Sequence, residues 1–294
     1  MSLDLTSKNR IKAIFNQYGA YPSKGLGQNF LINKSVLKKI IKSADLTKKE
    51  VILEIGPGIG NLTRELAHKA KRIIAVEKDP KLVRILKETL EDFENIEIIQ
   101  GDILKIQDAK YPKAIPSGCY GAGKIQDTYK IVANLPFYIV APVIRKFLES
   151  EFPPKEMVLV VQKEVGQRIC AKPPKMNLLA VSVQFYAEPE IISYVSKKSF
   201  WPQPKVDSAI LKIIPRKSPT RPGLVNLFFR VVKAGFSQPR QMLINNLAKK
   251  LEIEKEKIKE ILKENNISPS QRPETLTIKN WRNLARDFSA FLLL

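Results

Sequence analysis

Histidine and cysteine are almost missing from this chain: His68 is the one histidine, and Cys119 and Cys170 are the only cysteines in 294 residues. Two cysteines make no disulfide framework, and a Cys/His zinc centre would lack ligands, so no metal site is expected. His68 sits in the polar run Ala67-His68-Lys69 and reads as a solvent-facing helix residue. Acid–base catalysis by histidine is therefore not expected. Apolar runs are short, and none approaches the ~18 residues of a membrane-spanning helix. The first residues, Met1-Ser-Leu-Asp-Leu-Thr6, lack the basic and then apolar pattern of a secretion signal. A cytoplasmic protein with no membrane partner is the expectation. Acidic residues are scarce: 29 Asp and Glu face 50 Lys and Arg, a formal net charge of +21. Such an excess favours a polyanionic partner, most simply nucleic acid; a generally basic proteome or a solubility bias is the alternative.

Hydrophobic residues make up 44% and charged residues 27%, as in globular proteins, and the length accommodates an α/β domain plus a smaller second one. Ile11, Ile14, Phe15 and Tyr18 mark one face of a helix over residues 8–18. A flexible connection follows, Lys24-Gly25-Leu26-Gly27-Gln28-Asn29-Phe30-Leu31, and then a helix capped by Asn33. Buried-strand runs are expected at 51–55, 72–76, 96–100, 129–133 and 157–161, with two closing strands at 191–195 and 209–214. Residues 178–187 have the period of a half-buried strand, but Ala180 and Gln184 suit a sheet poorly, so a helix is expected. Residues 107–128, broken by Pro112, Pro116, Gly118, Gly121 and Gly123, read as a long loop. Past Pro215 comes a basic linker, then helices over 224–236, 252–265 and 278–291, the last capped by Thr277. The final Phe-Leu-Leu-Leu is expected to pack.

The chemistry gathers at strand ends. Val51-Ile-Leu-Glu-Ile55 runs into Gly56-Pro57-Gly58-Ile59-Gly60 and then a helix, the layout of a nucleotide-binding first turn. The spacing is G-x-G-x-G, not that of dinucleotide binders, and Pro57 removes a donor that a phosphate would use. Glu54 beside the loop suits a cationic ligand, which points to S-adenosylmethionine. Glu77 ends the next strand, where an acid can accept ribose hydroxyls, and Asp102 ends the third, where it can accept from an adenine amine. Asn134-Leu135-Pro136-Phe137 then ends the strand over 129–133. A side-chain amide, two carbonyls and an aromatic ring there could hold a flat base by its exocyclic amine; a strand-ending turn is the plainer alternative. In Phe200-Trp201-Pro202-Gln203-Pro204, two prolines stiffen a loop that could offer an aromatic shelf beside a base pocket, or could simply pack. Arg230, Lys233, Arg240, Lys249 and Lys250 could form a phosphate-binding face, although most helix charges are solvated.

Six stretches in one order carry a resemblance: Gly27-Gln-Asn-Phe-Leu31, Glu54-Ile-Gly-Pro-Gly-Ile-Gly60, Val76-Glu-Lys-Asp79, Gly101-Asp102, Asn134-Leu-Pro-Phe137 and Pro204-Lys-Val-Asp-Ser-Ala209. On these the chain resembles, over nearly its whole length, the bacterial type of small-subunit ribosomal RNA adenine N6,N6-dimethyltransferases. The resemblance implies a Rossmann-like, seven-stranded S-adenosylmethionine-dependent methyltransferase sheet with a reversed last strand and a small all-helical carboxy-terminal domain. The division expected is 1–215 for the catalytic domain and 216–294 for a helical RNA-binding domain. The resemblance places Gln28, Asn29, Leu31, Gly56, Gly58, Glu77, Asp102 and Asn134 at the cofactor, and Asn134, Leu135, Pro136 and Phe137 at the target adenine. It implies dimethylation of adenosines, two adjacent ones near the 3′ end, in small-subunit RNA within an assembling 30S-type particle, by a monomer. Phe200, Arg230, Lys233 and Arg240 are the RNA contacts expected. The family usually has Tyr where this chain has Phe137; a phenyl ring still stacks. Large-subunit antibiotic-resistance methyltransferases share the fold and the Asn-x-Pro-aromatic loop, but Gly27, Pro57 and Val206-Asp-Ser-Ala209 favour the small-subunit family. A non-catalytic RNA-binding factor on the same scaffold is opposed by intact Glu77, Asp102 and Asn134.

Overall fold

The structure is a computed structural model that describes residues 4–23, 25–106, 129–216, 222–238 and 240–292. The long loop expected at 107–128, Cys119 with it, and the linker residues 217–221 lie outside the described residues.

The first unit spans Met1–Gly166 and Glu190–Pro215. Helix α1, Lys8–Gln17, is capped by the Ser7 side chain and buries Ile11, Ile14 and Phe15. Helix α2, Lys34–Ser43, starts where the Asn33 side chain accepts from the N–H groups of Ser35 and Val36. Between them is β1, Phe30–Leu31. Then come β2 (Val51–Ile55), α3 (Asn61–Ala67), β3 (Arg72–Glu77), α4 (Pro80–Thr89) and β4 (Ile96–Gln100). After the undescribed residues follow β5 (Tyr129–Asn134), α5 (Val140–Leu148), β6 (Glu156–Gln162) and α6 (Lys163–Ile169). Farther along the chain lie α7 (Leu178–Tyr186), β7 (Ala187–Val195), β8 (Phe200–Trp201) and β9 (Ser208–Pro215).

Seven strands form one sheet in the order β4-β3-β2-β5-β6-β9-β7. The pairs from β4 through β6 are parallel, and β9 enters antiparallel to β6, with Leu159 opposite Leu211. Strand β2 is buried along its whole length, and β5 and β6 up to their last residue; apolar runs of this kind are what a sheet covered on both faces demands. The carboxyl ends of β2, β3 and β5 therefore share one edge. The opposite end is held by charge. Lys130, 3% exposed, lies 3.1 Å from Glu156 and donates to the carbonyls of Ala44 and Asp45; Lys212 lies 3.1 Å from the other Glu156 oxygen.

The second unit spans Gln167–Pro189 and Arg216–Leu294. It holds α8 (Pro222–Gly235), α9 (Leu243–Leu251), α10 (Lys255–Glu264) and α11 (Ile278–Leu292). The helix expected over 252–265 thus begins later, because Glu252 is the left-handed cap that ends α9. Residues 167–189 correct the expected 1–215 boundary. Ala180, Val181 and Phe185 of α7 pack into the core of Phe228, Leu247 and Trp281, and Phe185 stacks on Phe228 with centroids 4.1 Å apart. Of the final Phe-Leu-Leu-Leu, Leu292 packs against this core as expected, Phe291 is exposed with Lys257 over its ring, and residues 293–294 lie outside the described residues. No helix of the described residues is long and apolar enough to cross a membrane.

Candidate active site

A cleft whose empty space, open solvent included, is about 1110 Å³ lies in the first unit at the carboxyl ends of β2, β3 and β5. Gly56 and Gly58 follow β2 with φ of +67° and +65°, a left-handed backbone that glycine adopts without strain. At Gly58 space decides as well: a Cβ there would lie 2.9 Å from the Phe30 ring. The loop is thus bare backbone on its ligand side, pressed under one aromatic ring.

Glu77, 6% exposed at the end of β3, accepts from Gly58 N–H at 3.1 Å and from Asp79 N–H at 2.9 Å. Each oxygen keeps a lone pair for a ligand hydroxyl. Burial raises its carboxyl above the ordinary range, opposed by those N–H groups. Asp102 follows β4. Burial raises its carboxyl, but Lys78 Nζ at 3.0 Å and Leu104 N–H at 3.0 Å outweigh that and hold it below the ordinary value. Glu54 is 1% exposed and lines the cleft, and its Oε2 has no hydrogen-bond partner. Burial, with the Glu77 charge nearby, pushes it up to about 8; the Thr63 hydroxyl works against the rise. Two acids for hydroxyls and an amine, and a third among the residues lining the cavity, fit a cationic nucleoside such as S-adenosylmethionine.

Asn134 ends β5 half-buried, and its Nδ2 donates to the Asn29 carbonyl at 2.9 Å. That bond fixes which end of the amide faces the cleft. One N–H of the nitrogen is bonded there, and Oδ1 is left as an acceptor. Leu135 is buried and donates its N–H to Val160 O, so it sets the loop rather than touching solvent. Pro136 and Phe137 are half-buried at the cleft wall, where Phe137 opens a single 3-10 turn.

The structure brings the expected residues Gln28, Asn29, Leu31, Gly56, Gly58, Glu77, Asp102 and Asn134 to Phe137 onto one cavity. Three expectations change in detail. The Gln28 amide also bonds to protein groups, accepting from Ser23 N–H at 2.7 Å and donating to Asp79 at 3.0 Å, which leaves it one N–H and one lone pair toward the cleft. Leu31 is core, and its carbonyl accepts from Asn61. Phe200 lines the cleft but is 3% exposed, since β8 pairs with β1 and turns the residue into the apolar core. The open aromatic shelf expected of it is therefore not formed. Trp201 packs edge-on against Phe15. Arg230, Lys233 and Arg240 are exposed and belong to the second unit. His68 is exposed, as its polar neighbours imply.

Sequence reasoning missed the roles of Asp79 and Asn61. Asp79 before Pro80 carries an ordinary helix-cap signal, which it honours by accepting from Lys81 N–H, and this hid its bond to Gln28. Asn61 reads as the start of a helix, yet its buried amide donates to the carbonyls of Leu5 and Leu31 and ties the amino terminus to β1.

The family model described as ribosomal RNA adenine dimethylase matches residues 22–284. The chain belongs to that family. Among curated members, it is 41% identical to the ribosomal RNA small subunit methyltransferase A of Dehalococcoides mccartyi, covering 95% of this chain and 92% of that one. A solved dimethyladenosine transferase from Plasmodium falciparum superposes with a TM-score of 0.72 at 26% identity, covering 88% of this chain and 96% of the other. The 23S rRNA methyltransferase ErmE, at 0.69 and 24% identity over 88% of this chain and 98% of its own, shares the fold. The family is S-adenosylmethionine-dependent, and the acids at the ends of β3 and β4 line the cleft described above.

Proposed function

We propose that this chain dimethylates the N6 amine of adenosine in small-subunit ribosomal RNA, with S-adenosylmethionine as methyl donor. The observation that carries the reading is the Asn134 amide, whose nitrogen is bonded to Asn29 O and whose oxygen is the remaining acceptor on the cleft. An adenine N6 is a poor nucleophile because its lone pair is shared with the ring. Accepting its hydrogens at Asn134 Oδ1 and at a carbonyl of Leu135 or Pro136 favours a pyramidal nitrogen. The cofactor supplies a methyl group on a sulfonium, open to in-line displacement. The protein's part is to seat the base on Phe137, aim the amine and exclude water. Orientation of this kind lowers barriers by several kcal/mol and needs no strong base. Dimethylation requires that the once-methylated amine return to the same cleft, which Asn134 to Phe137 line together with Glu77 and Asp102.

The adenosines must leave their stack, so the target lies in or beside a loop of the RNA. Arg230, Lys233 and Arg240 hold phosphates from the second unit, and the +21 charge supplies the long-range attraction. The substrate is an assembling small-subunit particle, the enzyme acts as a cytoplasmic monomer, and the modified adenosines are two neighbours near the 3′ end. The test is methylation of purified small and large subunits with labelled cofactor. Label in small-subunit adenosine as N6,N6-dimethyladenosine supports the reading. Label in large-subunit RNA alone transfers it to the resistance type, and cofactor binding without label anywhere leaves an RNA-binding factor.

A further inference from the structure

A run of hydrogen bonds joins the cofactor side of the cleft to the catalytic amide. Glu77 takes the N–H of Asp79 on one oxygen and that of Gly58 on the other. Asp79 Oδ1 caps α4 through Lys81 N–H at 2.9 Å, while Oδ2 accepts from Gln28 Nε2 at 3.0 Å. Gln28 Oε1 accepts from Ser23 N–H at 2.7 Å, and Gln28 N–H donates to Ser23 O at 3.2 Å. The next residue, Asn29, gives its carbonyl to Asn134 Nδ2 at 2.9 Å and uses its own amide on Gly27 O at 3.0 Å. Gly27 stands at φ +61°, where a Cβ would lie 3.5 Å from Pro136. The segment is therefore pinned at both ends of the peptide that aims Asn134.

We propose that Gln28 and Asp79 are positioning residues: their side-chain bond fixes the Asn29 carbonyl and so holds the Asn134 amide with its oxygen toward the adenine. The inference rests on the proposed function for the role of Asn134. Gln28 and Asp79 bond to each other, to the backbone and to the cap of α4. The φ/ψ freedom of Gly25 and Gly27 leaves the segment before β1 dependent on such bonds, and the Gln28–Asp79 bond is the one that ties it to the start of α4. When the 29–30 peptide rotates, Asn134 Nδ2 loses its acceptor, and either end of the amide can face the base. A donor facing N6–H repels it. The same bond also joins the segment carrying Glu77 to the segment carrying Asn29, so whatever seats a ribose at Glu77 bears on the aim of the amide.

The test exchanges donor and acceptor. Gln28→Glu sets a carboxylate against Asp79. Adding Asp79→Asn restores the bond in reverse, with the Asn amine donating to the Glu carboxylate, the cap oxygen for Lys81 kept and the net charge unchanged. Single-turnover methylation of small-subunit particles is measured at saturating cofactor and RNA, with cofactor affinity by calorimetry and folding by thermal melting. Gln28→Glu is expected to lower the saturated rate about 10- to 100-fold, the scale of a small misplacement of a reacting group. The exchanged pair is expected to recover to within roughly threefold of wild type, well inside that range. A second readout needs no substrate: the Asn134 side-chain amide signals in nitrogen-15 spectra, assigned by their loss in Asn134→Ala, should shift in Gln28→Glu and return in the pair. A folded Gln28→Glu protein with a normal saturated rate and weaker cofactor binding alone would overturn the proposal, as would an unmoved Asn134 signal or a pair that fails to recover. If wild type methylates no small-subunit RNA, the functional reading fails, while the amide signals still decide the coupling.

Discussion

Asn134→Ala removes one amide and should remove most of the reaction. Among the described residues this side chain makes one bond, from Nδ2 to Asn29 O at 2.9 Å, and Oδ1 is left for the substrate. The loss therefore falls on the step in which N6 becomes pyramidal, and on turnover more than on RNA affinity, which phosphates dominate. Taking away one aimed polar group in a water-poor site costs about 100- to 1,000-fold in rate, or ~2.7–4 kcal/mol. Asn134→Asp should be no better, because a carboxylate oxygen would then face the Asn29 carbonyl where an N–H stood. Alanine removes the hydrogen bond to Asn29 as well, worth about 0.5–1.5 kcal/mol of stability, so folding is checked by melting before rates are compared. The assay is single-turnover methylation of small-subunit particles with labelled S-adenosylmethionine at saturation. A rate within a few-fold of wild type for either variant would refute the assignment of this loop as the catalytic centre.

Glu77→Ala should weaken S-adenosylmethionine binding, measured by calorimetry, by roughly 1.5–3 kcal/mol for each charge-assisted bond lost; unchanged affinity in a folded variant takes Glu77 out of the site. Replacing Arg230, Lys233 and Arg240 together by Ala should weaken RNA binding and flatten its salt dependence while leaving cofactor affinity alone, and an unaltered slope would move the phosphate contacts elsewhere. Glu54 has a raised carboxyl, from 4.5 to about 8, so the folded state keeps a proton that the unfolded state releases. Its contribution is then complete below pH 4.5 and falls as pH rises to about 8, by at most ~1.4 kcal/mol per pH unit. Melting of ligand-free wild type and Glu54→Gln from pH 5 to 9 should show the variant gaining relative stability with pH; parallel curves would contradict this. Glu156→Ala leaves Lys130 and Lys212 without their shared anion and should cost about 3–5 kcal/mol in urea unfolding, whereas a loss under ~1 kcal/mol, the worth of a surface pair, would mean that the backbone carbonyls suffice for Lys130.

Much of the site was legible because it is local. Glycines at 56 and 58 announce a bare turn wherever they stand. Glu77 and Asp102 end apolar runs, so a parallel sheet brings them to one edge. Asn134 and Pro136 stop a strand by their own backbone chemistry. The roles that stayed hidden are those in which a side chain bonds to something distant in sequence. Gln28 carries an amide that suits a ligand, and nothing near it says that Asp79 takes that amide. Phe200 lies in a proline-stiffened stretch that invites exposure, and pairing with β1 buries it.

The sequence by itself determined the period of each helix and strand, the glycine turn, the acids and amide at strand ends, and the charge that selects a polyanion. These follow from backbone propensity and from alternation, which act over a few residues. Tertiary structure alone decided that Phe30 pairs with Trp201, that the helix over 178–186 joins the second core, and that Asn134 presents its oxygen. Such choices depend on which surfaces meet. An apolar helix face is satisfied by any core of the right shape, and an amide by any carbonyl within reach. Only the packed chain settles which core and which carbonyl those are.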